Sequence, residues 1–133
     1  MIVSHVTDAT NTKIDTFPYK GENLKVKDVW VRWVSQAPAT DPEYGLRLFT
    51  VGPNGEIPIH KHFYYQTMYM LTGSLLVYSY DSETDEKIME KKVGPHDVIF
   101  IPTMEPHSAV NPSSSEECTF LCCIANVYEE DVA

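Results

Sequence analysis

The sequence has few basic residues: ten lysines and arginines stand against nineteen aspartates and glutamates, and the formal net charge is −9. Nucleic acids and anionic membrane surfaces bind basic protein surfaces, so this composition argues against both as partners. Long apolar runs are also lacking, which excludes a typical membrane-spanning helix. The first residues show no basic segment followed by an apolar one, and we therefore expect no secretory signal.

Cysteine is scarce as well. Cys118, Cys122 and Cys123 are the three cysteines, and they lie within six residues inside an apolar run. Cysteines this close along the chain form a poor disulfide framework, so free thiols in a reducing compartment are expected, and the cytoplasm is the predicted location. On a strand, Cys118 and Cys122 share one face and Cys123 takes the other, and packing is the role that we expect for them.

Helix-forming patterns are weak, whereas turn residues are frequent. Segments such as VGPNGE, LTGS and VGPHD separate short runs rich in β-branched and aromatic residues, among them VWVRWVS, LRLFTV and LLVYSY. Short runs of this kind between closely spaced turns indicate an all-β sandwich or barrel. A chain of 133 residues suits one such domain with one core.

The segment HKHFYYQTMYMLTG carries the residues most suited to chemistry. His60 and His62 are two residues apart, so on a strand they project from the same face. A neutral imidazole is a good ligand for first-row divalent metals, and an amide oxygen, here that of Gln66, is a weaker one. His107 follows 45 residues after His62, a gap that holds about four strands and can return His107 to the pair in a rolled sheet. We therefore predict a metal site.

This segment resembles the first sequence motif of the cupin superfamily. His60, His62 and Gly73 match the motif at the expected spacing. Gln66 stands where the motif has glutamate, and Gly55 is one residue nearer to the histidines than the opening glycine of the motif.

A second cupin motif is matched further along the chain. Pro102, His107 and Asn111 stand at its positions, while His96 and Met104 replace its two glycines. The proline before His96 predicts a turn with a positive φ at His96, so we interpret His96 as a turn residue rather than a ligand. The two motifs occur in the order found in cupins, and the resemblance covers about residues 46–125.

The resemblance implies a small jelly-roll barrel, that is, a double-stranded β-helix, in residues 29–133, with residues 1–28 forming an N-terminal arm or edge strands. It also implies one bound divalent metal ion, which is manganese, iron, zinc or nickel. The ligands implied by the resemblance are His60, His62, Gln66 and His107.

Two tryptophans bear on the oligomeric state. Trp30 and Trp33 lie on opposite faces of the run VWVRWVS. We expect one of them to pack in the core and the other beneath a partner subunit or the N-terminal arm. An exposed aromatic face favours a homodimer, which is also usual among cupins.

Gln66 narrows the chemistry expected of the metal. Three imidazoles and an amide are uncharged, so a divalent ion keeps its full charge, and such a site favours anionic or enolisable oxygen ligands over redox cycling. We therefore predict an isomerase or lyase acting on a small oxygen-rich molecule: an anionic carbonyl compound, a sugar acid or another enolisable substrate. The resemblance extends to small cupins with the same ligand pattern that act on sugar-acid breakdown products. A non-haem dioxygenase, and a binding or sensor protein without catalysis, remain alternatives.

Other residues are candidates for the wall of a substrate pocket. Arg47 is able to pair with a substrate carboxylate, and Met68 and Met70 share a strand face with the glutamine. No dedicated acid–base pair is evident in the sequence. A water on the metal, or Tyr69 or Tyr78 as a proton donor, is therefore expected to take part in the chemistry.

Overall fold

The structure is a computed structural model that describes residues 1–36 and 44–125. A 3-10 turn at Val6–Asp8 is followed by nine strands: β1 (Thr12–Tyr19), β2 (Glu22–Gln36), β3 (Tyr44–His60), β4 (Gln66–Thr72), β5 (Leu75–Tyr80), β6 (Lys87–Val93), β7 (Val98–Ile101), β8 (His107–Val110) and β9 (Cys118–Ala125). The predicted all-β class is confirmed. Residues 37–43 and 126–133 of the predicted barrel lie outside the described ranges. Within those ranges no helix has the length and apolar character needed to span a bilayer.

The strands form one antiparallel sheet that curls around the core. Its order is β6-β5-β8-β3-β9-β4-β7, and the β1–β2 hairpin joins it because β2 pairs with β3. Four strands, β4 to β7, separate the first two histidines from His107, as the spacing predicts. Strands that follow one another in the chain are often not neighbours in this order, so distant segments of the sequence meet.

Strand β3 serves both sides of this curled sheet because its pairing changes in the middle. Residues 45–51 pair with β2 on one side and β9 on the other, whereas residues 56–60 pair with β8. Glycine is required between the two halves, since a Cβ on Gly55 would lie 2.8 and 2.9 Å from two backbone carbonyl oxygens. This arrangement places His60, the last residue of β3, opposite its register partner His107, the first residue of β8.

Alternating burial along β4 gives this strand one face in the core. Gln66, Met68 and Met70 are buried, and the residues between them are exposed, as the strand alternation predicts. The core behind them includes Phe49 of β3 and Phe120 of β9, whose rings stack with their centroids 5.1 Å apart. Removal of these side chains from water is the main source of stability for a sheet of this kind.

The three cysteines are free thiols, and their positions agree with a packing role. Cys118 and Cys122 face the core, and Cys123 is exposed on the opposite face of β9, as predicted. Burial raises the pKa of the Cys118 thiol to about 11 and also raises the pKa of Cys122. Both buried thiols are therefore protonated near neutral pH, which makes them poor nucleophiles.

The β1–β2 hairpin is tied to the turn between β5 and β6. The hydroxyl of Tyr19 donates a hydrogen bond to Oδ1 of Asp85 at 2.6 Å, and Nζ of Lys20 lies 3.0 Å from Oδ2 of the same carboxylate. Strand β2 continues past residue 28, and the division into an arm of residues 1–28 and a barrel of residues 29–133 stays a prediction.

The expectation that one of the two tryptophans fills the core is wrong. Trp30 is half-buried beside β1, with Nζ of Lys13 6.0 Å from its ring centroid, and Trp33 is 38% exposed. The buried positions of this part of β2 are filled by Val29 and Val31 instead. The homodimer stays a prediction.

Asn111, the last residue of the second motif, holds the middle of β3 in place. It is 1% exposed, and its Nδ2 donates to the carbonyl oxygens of Val51 and Gly52 at 3.0 Å and to that of Glu116 at 2.9 Å. Its Oδ1 accepts a hydrogen bond from the backbone N–H of Ser113 at 3.0 Å. One side chain thus ties the middle of β3 to the loop between β8 and β9.

Substitution Asn111→Ala is expected to destabilise the protein by about 2–4 kcal/mol, because it leaves buried backbone groups without partners and opens a cavity. Thermal unfolding followed by circular dichroism measures the effect, which corresponds to a fall in Tm of roughly 10 °C. The matched control is Asn11→Ala at an exposed position, for which a change below about 0.5 kcal/mol is expected. Equal melting temperatures for the two variants would contradict this role of Asn111.

Candidate metal centre

Three histidines from two distant segments converge on one point. His60 ends β3, His62 follows it in the loop, and His107 begins β8. One nitrogen of each ring lies within 4.8 Å of the corresponding nitrogens of the other two, and the residues are 4%, 7% and 8% exposed. Buried imidazole nitrogens gathered this closely form a group that can hold a metal ion.

Backbone carbonyl groups set the orientation of two of these rings. Nδ1 of His60 lies 2.8 Å from the carbonyl oxygen of Pro58, and Nδ1 of His107 lies 2.8 Å from that of Glu105. A carbonyl oxygen can only accept a hydrogen bond, so Nδ1 carries the proton in both rings and Nε2 carries the lone pair. This is the tautomer and the supporting bond that metal-ligating histidines commonly show.

Aromatic rings restrict the rotation of the histidines. Phe17 of β1 stacks on His60 with the ring centroids 4.6 Å apart and the planes inclined by 13°. Tyr64 stacks on His62 at 4.6 Å and 12°. The rings of His60 and His107 are themselves only 4.2 Å apart. The group is therefore held by packing as well as by hydrogen bonds before any ligand is added.

The electrostatic environment keeps His60 uncharged. Burial, together with repulsion from the imidazoles of His107 and His62, holds the pKa of His60 well below its ordinary value. The ring is therefore neutral near pH 7, and the neutral imidazole is the form that binds a metal.

Gln66, the first residue of β4, lies in the same cavity as the histidines. The residue is 6% exposed, and its Oε1 is buried with no hydrogen-bond partner in the described part of the chain. A buried acceptor without a partner costs about 1–3 kcal/mol, and a cation beside it would remove that cost.

The donor set therefore suits a divalent ion. Nitrogens bound to one tetrahedral or octahedral ion at about 2.1 Å lie roughly 3.0–3.4 Å apart. The three imidazole nitrogens, which lie within 4.8 Å of one another, are therefore near the spacing that one ion requires.

The cluster opens into a cavity of about 60 Å³, room for about four water molecules. Most of its wall is apolar. Besides the histidines and Gln66, the lining includes Arg47, Met68, Tyr78, Ser79, Glu105 and Phe17.

The structure brings together some of the predicted pocket residues and separates others. Arg47, Met68 and Tyr78 line the cavity, whereas Met70 is fully buried in the core and is not part of the cavity wall. Tyr69 lies on the outer face of β4, where its hydroxyl is 2.8 Å from Nδ1 of His96. The even-numbered residues of β4 face inward, so Tyr69 faces away from the cluster. Its position therefore does not support a proton-donor role there.

The two residues that replace motif glycines both adopt positive φ values. His96 has φ +73°, as the Pro–His turn predicts, and it lies outside the histidine cluster. Met104 has φ +62°, so it adopts the left-handed conformation that glycine favours. The backbone turns at these positions are therefore formed without glycine.

Sequence reasoning missed two residues beside the cluster. Phe17 was not predicted because nothing in the sequence shows which part of the barrel β1 covers. Ser79 is buried and is the register partner of His107, and its alternation with Leu75 and Val77 in LLVYSY was a signal that it faces inward.

Comparisons with known proteins agree with this geometry. The family model described as a cupin domain matches residues 47–124. Among solved structures, the polyketide cyclase RemF from Streptomyces resistomycificus is 26% identical, with a TM-score of 0.70 and coverage of 98% of this chain and 87% of that one. A search of curated protein sequences finds no match.

Two further structures are similar in fold alone, given their lower identities. A cupin-2 domain protein from Rhodospirillum rubrum is 16% identical, with a TM-score of 0.70 and coverage of 97% of this chain and 77% of that one. Oxalate decarboxylase from Bacillus subtilis is 20% identical with a TM-score of 0.65, and the match covers 95% of this chain but 30% of that protein.

Proposed function

The chain belongs to the cupin family and has its jelly-roll fold, and on this basis we propose that it is a metal-dependent enzyme of the isomerase or lyase type. Its substrate is a small oxygen-rich carbonyl compound that can enolise. The observation that carries the proposal is the buried Oε1 of Gln66, which has no hydrogen-bond partner among the described residues and lies in the same cavity as the three histidines. In this proposal His60, His62, Gln66 and His107 hold one divalent ion, which is manganese, iron, zinc or nickel.

The donor set determines the kind of chemistry. All four donors are uncharged, so a bound divalent ion would supply strong Lewis acidity to a carbonyl or enolate oxygen. A carboxylate in place of Gln66 would offset part of that charge. The uncharged set therefore favours polarisation of a carbonyl over redox chemistry.

The remaining lining residues have distinct tasks in this proposal. Met68 and Phe49 exclude water from one wall of the cavity, which strengthens electrostatic interactions inside it. Glu105 is the one carboxylate that lines the cavity among the described residues, so it is positioned to accept a proton from the carbon next to the carbonyl. Ser79 faces inward on β5, so its hydroxyl group is able to hydrogen-bond a substrate oxygen. Tyr78 alternates with it, and its ring lies 4.3 Å from Nζ of Lys87 on the other face of the strand.

A structural neighbour supports carbonyl chemistry. The protein that is 26% identical over 98% of this chain is a polyketide cyclase, and a polyketide is a carbonyl compound.

The test combines elemental analysis with an exchange assay. We expect the purified protein to contain one divalent ion per chain and to catalyse deuterium exchange at the carbon next to the carbonyl of small keto acids, followed by proton NMR. The rate should exceed that of the metal-free protein at least about 100-fold, the scale of positioned acid–base catalysis.

Two other outcomes would contradict the proposal. Oxygen uptake with bound iron and a cleaved product would identify a dioxygenase. Ligand binding without metal and without exchange would identify a binding protein.

A further inference from the structure

Arg47 is a buried cation that lines the cavity. It lies on the inward face of β3 and is 8% exposed. Its guanidinium carbon is 4.8 Å from the ring centroid of Phe49 and 5.3 Å from that of Trp33, and its Nη2 donates to Sγ of Cys122 at 2.9 Å. These contacts fix the plane of the guanidinium without neutralising its charge.

No anion of the described chain pairs with this guanidinium. The described ion pairs join Lys20 to Asp85 and Lys87 to Glu90, and neither involves Arg47. Its Nε is buried with no hydrogen-bond partner among the described residues, and a thiol is a weak acceptor for Nη2. Burial of a charge is strongly unfavourable unless it is paired, so a partner from outside the described residues is expected.

The charged groups around the cavity leave room for a negative ligand. Among the described lining residues, Arg47 is the permanent cation and Glu105 is the carboxylate, and the two do not form an ion pair. Glu105 is half-buried and precedes His107 by two residues, whereas Arg47 lies on the first half of β3. The cavity therefore combines a fixed guanidinium with the histidine cluster in one small space.

We propose that Arg47 is the carboxylate-binding residue of this cavity, so that the substrate is a small keto acid whose carboxylate is bound by the guanidinium. The guanidinium fork matches a carboxylate with two parallel N–H···O bonds, and the guanidinium and the histidine cluster line the same cavity. The assignment of the carbonyl to the histidine cluster rests on the proposed function, whereas the contact between Arg47 and the carboxylate does not.

The test is a titration of the full chain with pyruvate, with and without a divalent ion, followed by calorimetry and by tryptophan fluorescence, since Trp33 lies 5.3 Å from the guanidinium. Arg47→Met should weaken pyruvate binding at least about 30-fold, the scale for loss of one partner of a buried charge pair. Arg47→Lys keeps the charge but loses the fork, so it should bind with intermediate affinity. The matched control Lys91→Met removes an exposed cation and should bind pyruvate as the unaltered protein does.

The unaltered protein supplies a test that does not depend on how well a variant folds. Methyl pyruvate, the neutral ester, should bind at least about 30-fold more weakly than pyruvate, because it lacks the negative charge. Inorganic phosphate and sulfate should compete poorly, because they do not fit a site that also recognises a ketone. Equal affinity for pyruvate and its ester, or phosphate binding as tight as pyruvate binding, would overturn the assignment of Arg47 to a substrate carboxylate.

The two proposals fail in different ways. If metal-free protein binds pyruvate through Arg47 but the metal-loaded protein exchanges no deuterium, the enzymatic proposal fails and the role of Arg47 stands. If exchange occurs and Arg47→Met leaves pyruvate affinity unchanged, the role of Arg47 fails and the enzymatic proposal stands.

Discussion

Replacement of His62 by alanine is expected to weaken binding of the divalent ion at least about 100-fold. Loss of a supporting hydrogen-bond partner alone weakens metal sites by about 10–100-fold, and loss of a ligand should cost no less. Elemental analysis after dialysis and calorimetric titration with zinc and manganese measure the change. The deuterium exchange expected of the unaltered protein should fall to the metal-free level in the same variant.

The control for this substitution is His5→Ala, which removes an exposed histidine far along the chain from the cluster. It should leave metal content at one ion per chain and the dissociation constants for zinc and manganese unchanged. Binding at one hundred times the dissociation constant stabilises a folded protein by about 2.7 kcal/mol, so the unaltered protein and the control should both melt higher with metal. A His62→Ala protein with normal metal content would show that the cluster is not the metal site.

Replacement of Gln66 by glutamate is expected to raise metal affinity at least about tenfold and to slow the proposed carbonyl reaction at least about tenfold. The substitution changes an amide to a carboxylate of almost the same shape, so it adds a negative charge with little change in packing. That charge attracts the cation and also offsets its Lewis acidity, which is why affinity and rate should move in opposite directions. Calorimetric titration with manganese and initial exchange rates with pyruvate measure the two effects.

The matched control is Asn23→Asp, which makes the same change from amide to acid at an exposed position in the β1–β2 hairpin. Metal affinity and rate should both stay within about twofold of the unaltered protein, since a solvent-exposed charge is screened by water and salt and does not line the cavity. If Gln66→Glu leaves the dissociation constant for manganese unchanged, Gln66 is not a ligand.

Local alternation predicted much of what faces inward. The period of two along a strand placed Gln66 and Met68 on one face of β4 and Cys118 and Cys122 on one face of β9, and burial shows that these are the inner faces. The same rule puts Tyr69 on the opposite, outer face of β4, so alternation argues against Tyr69 as a proton donor at the cluster. Alternation cannot tell how far along a strand a cavity extends, so Met70 shares a face with Met68 but lies in the closed part of the core.

Pairing between distant strands could not be read from the residues alone. The register between His60 and His107 depends on the curl of the whole sheet, and only the resemblance of the two motifs pointed to it. The contact of Phe17 with His60 could not be predicted for a further reason. The pairing of β1 with β2 shifts in register between Ile14 and Thr16. A shift of this kind breaks simple alternation, so the side that Phe17 faces was not predictable.

The contact between Phe17 and His60 joins the β1–β2 hairpin to the part of the chain that matches the family model. The segment shared with the family, residues 47–124, contains the imidazoles and the amide, but the ring that covers His60 comes from the hairpin upstream. Exchange of that segment between relatives by recombination would transfer the ligands without one wall of their enclosure. We therefore expect related proteins to have inherited the hairpin and the barrel together as one unit. Substitutions at position 17 should be accompanied by compensating substitutions on the opposite side of the His60 imidazole.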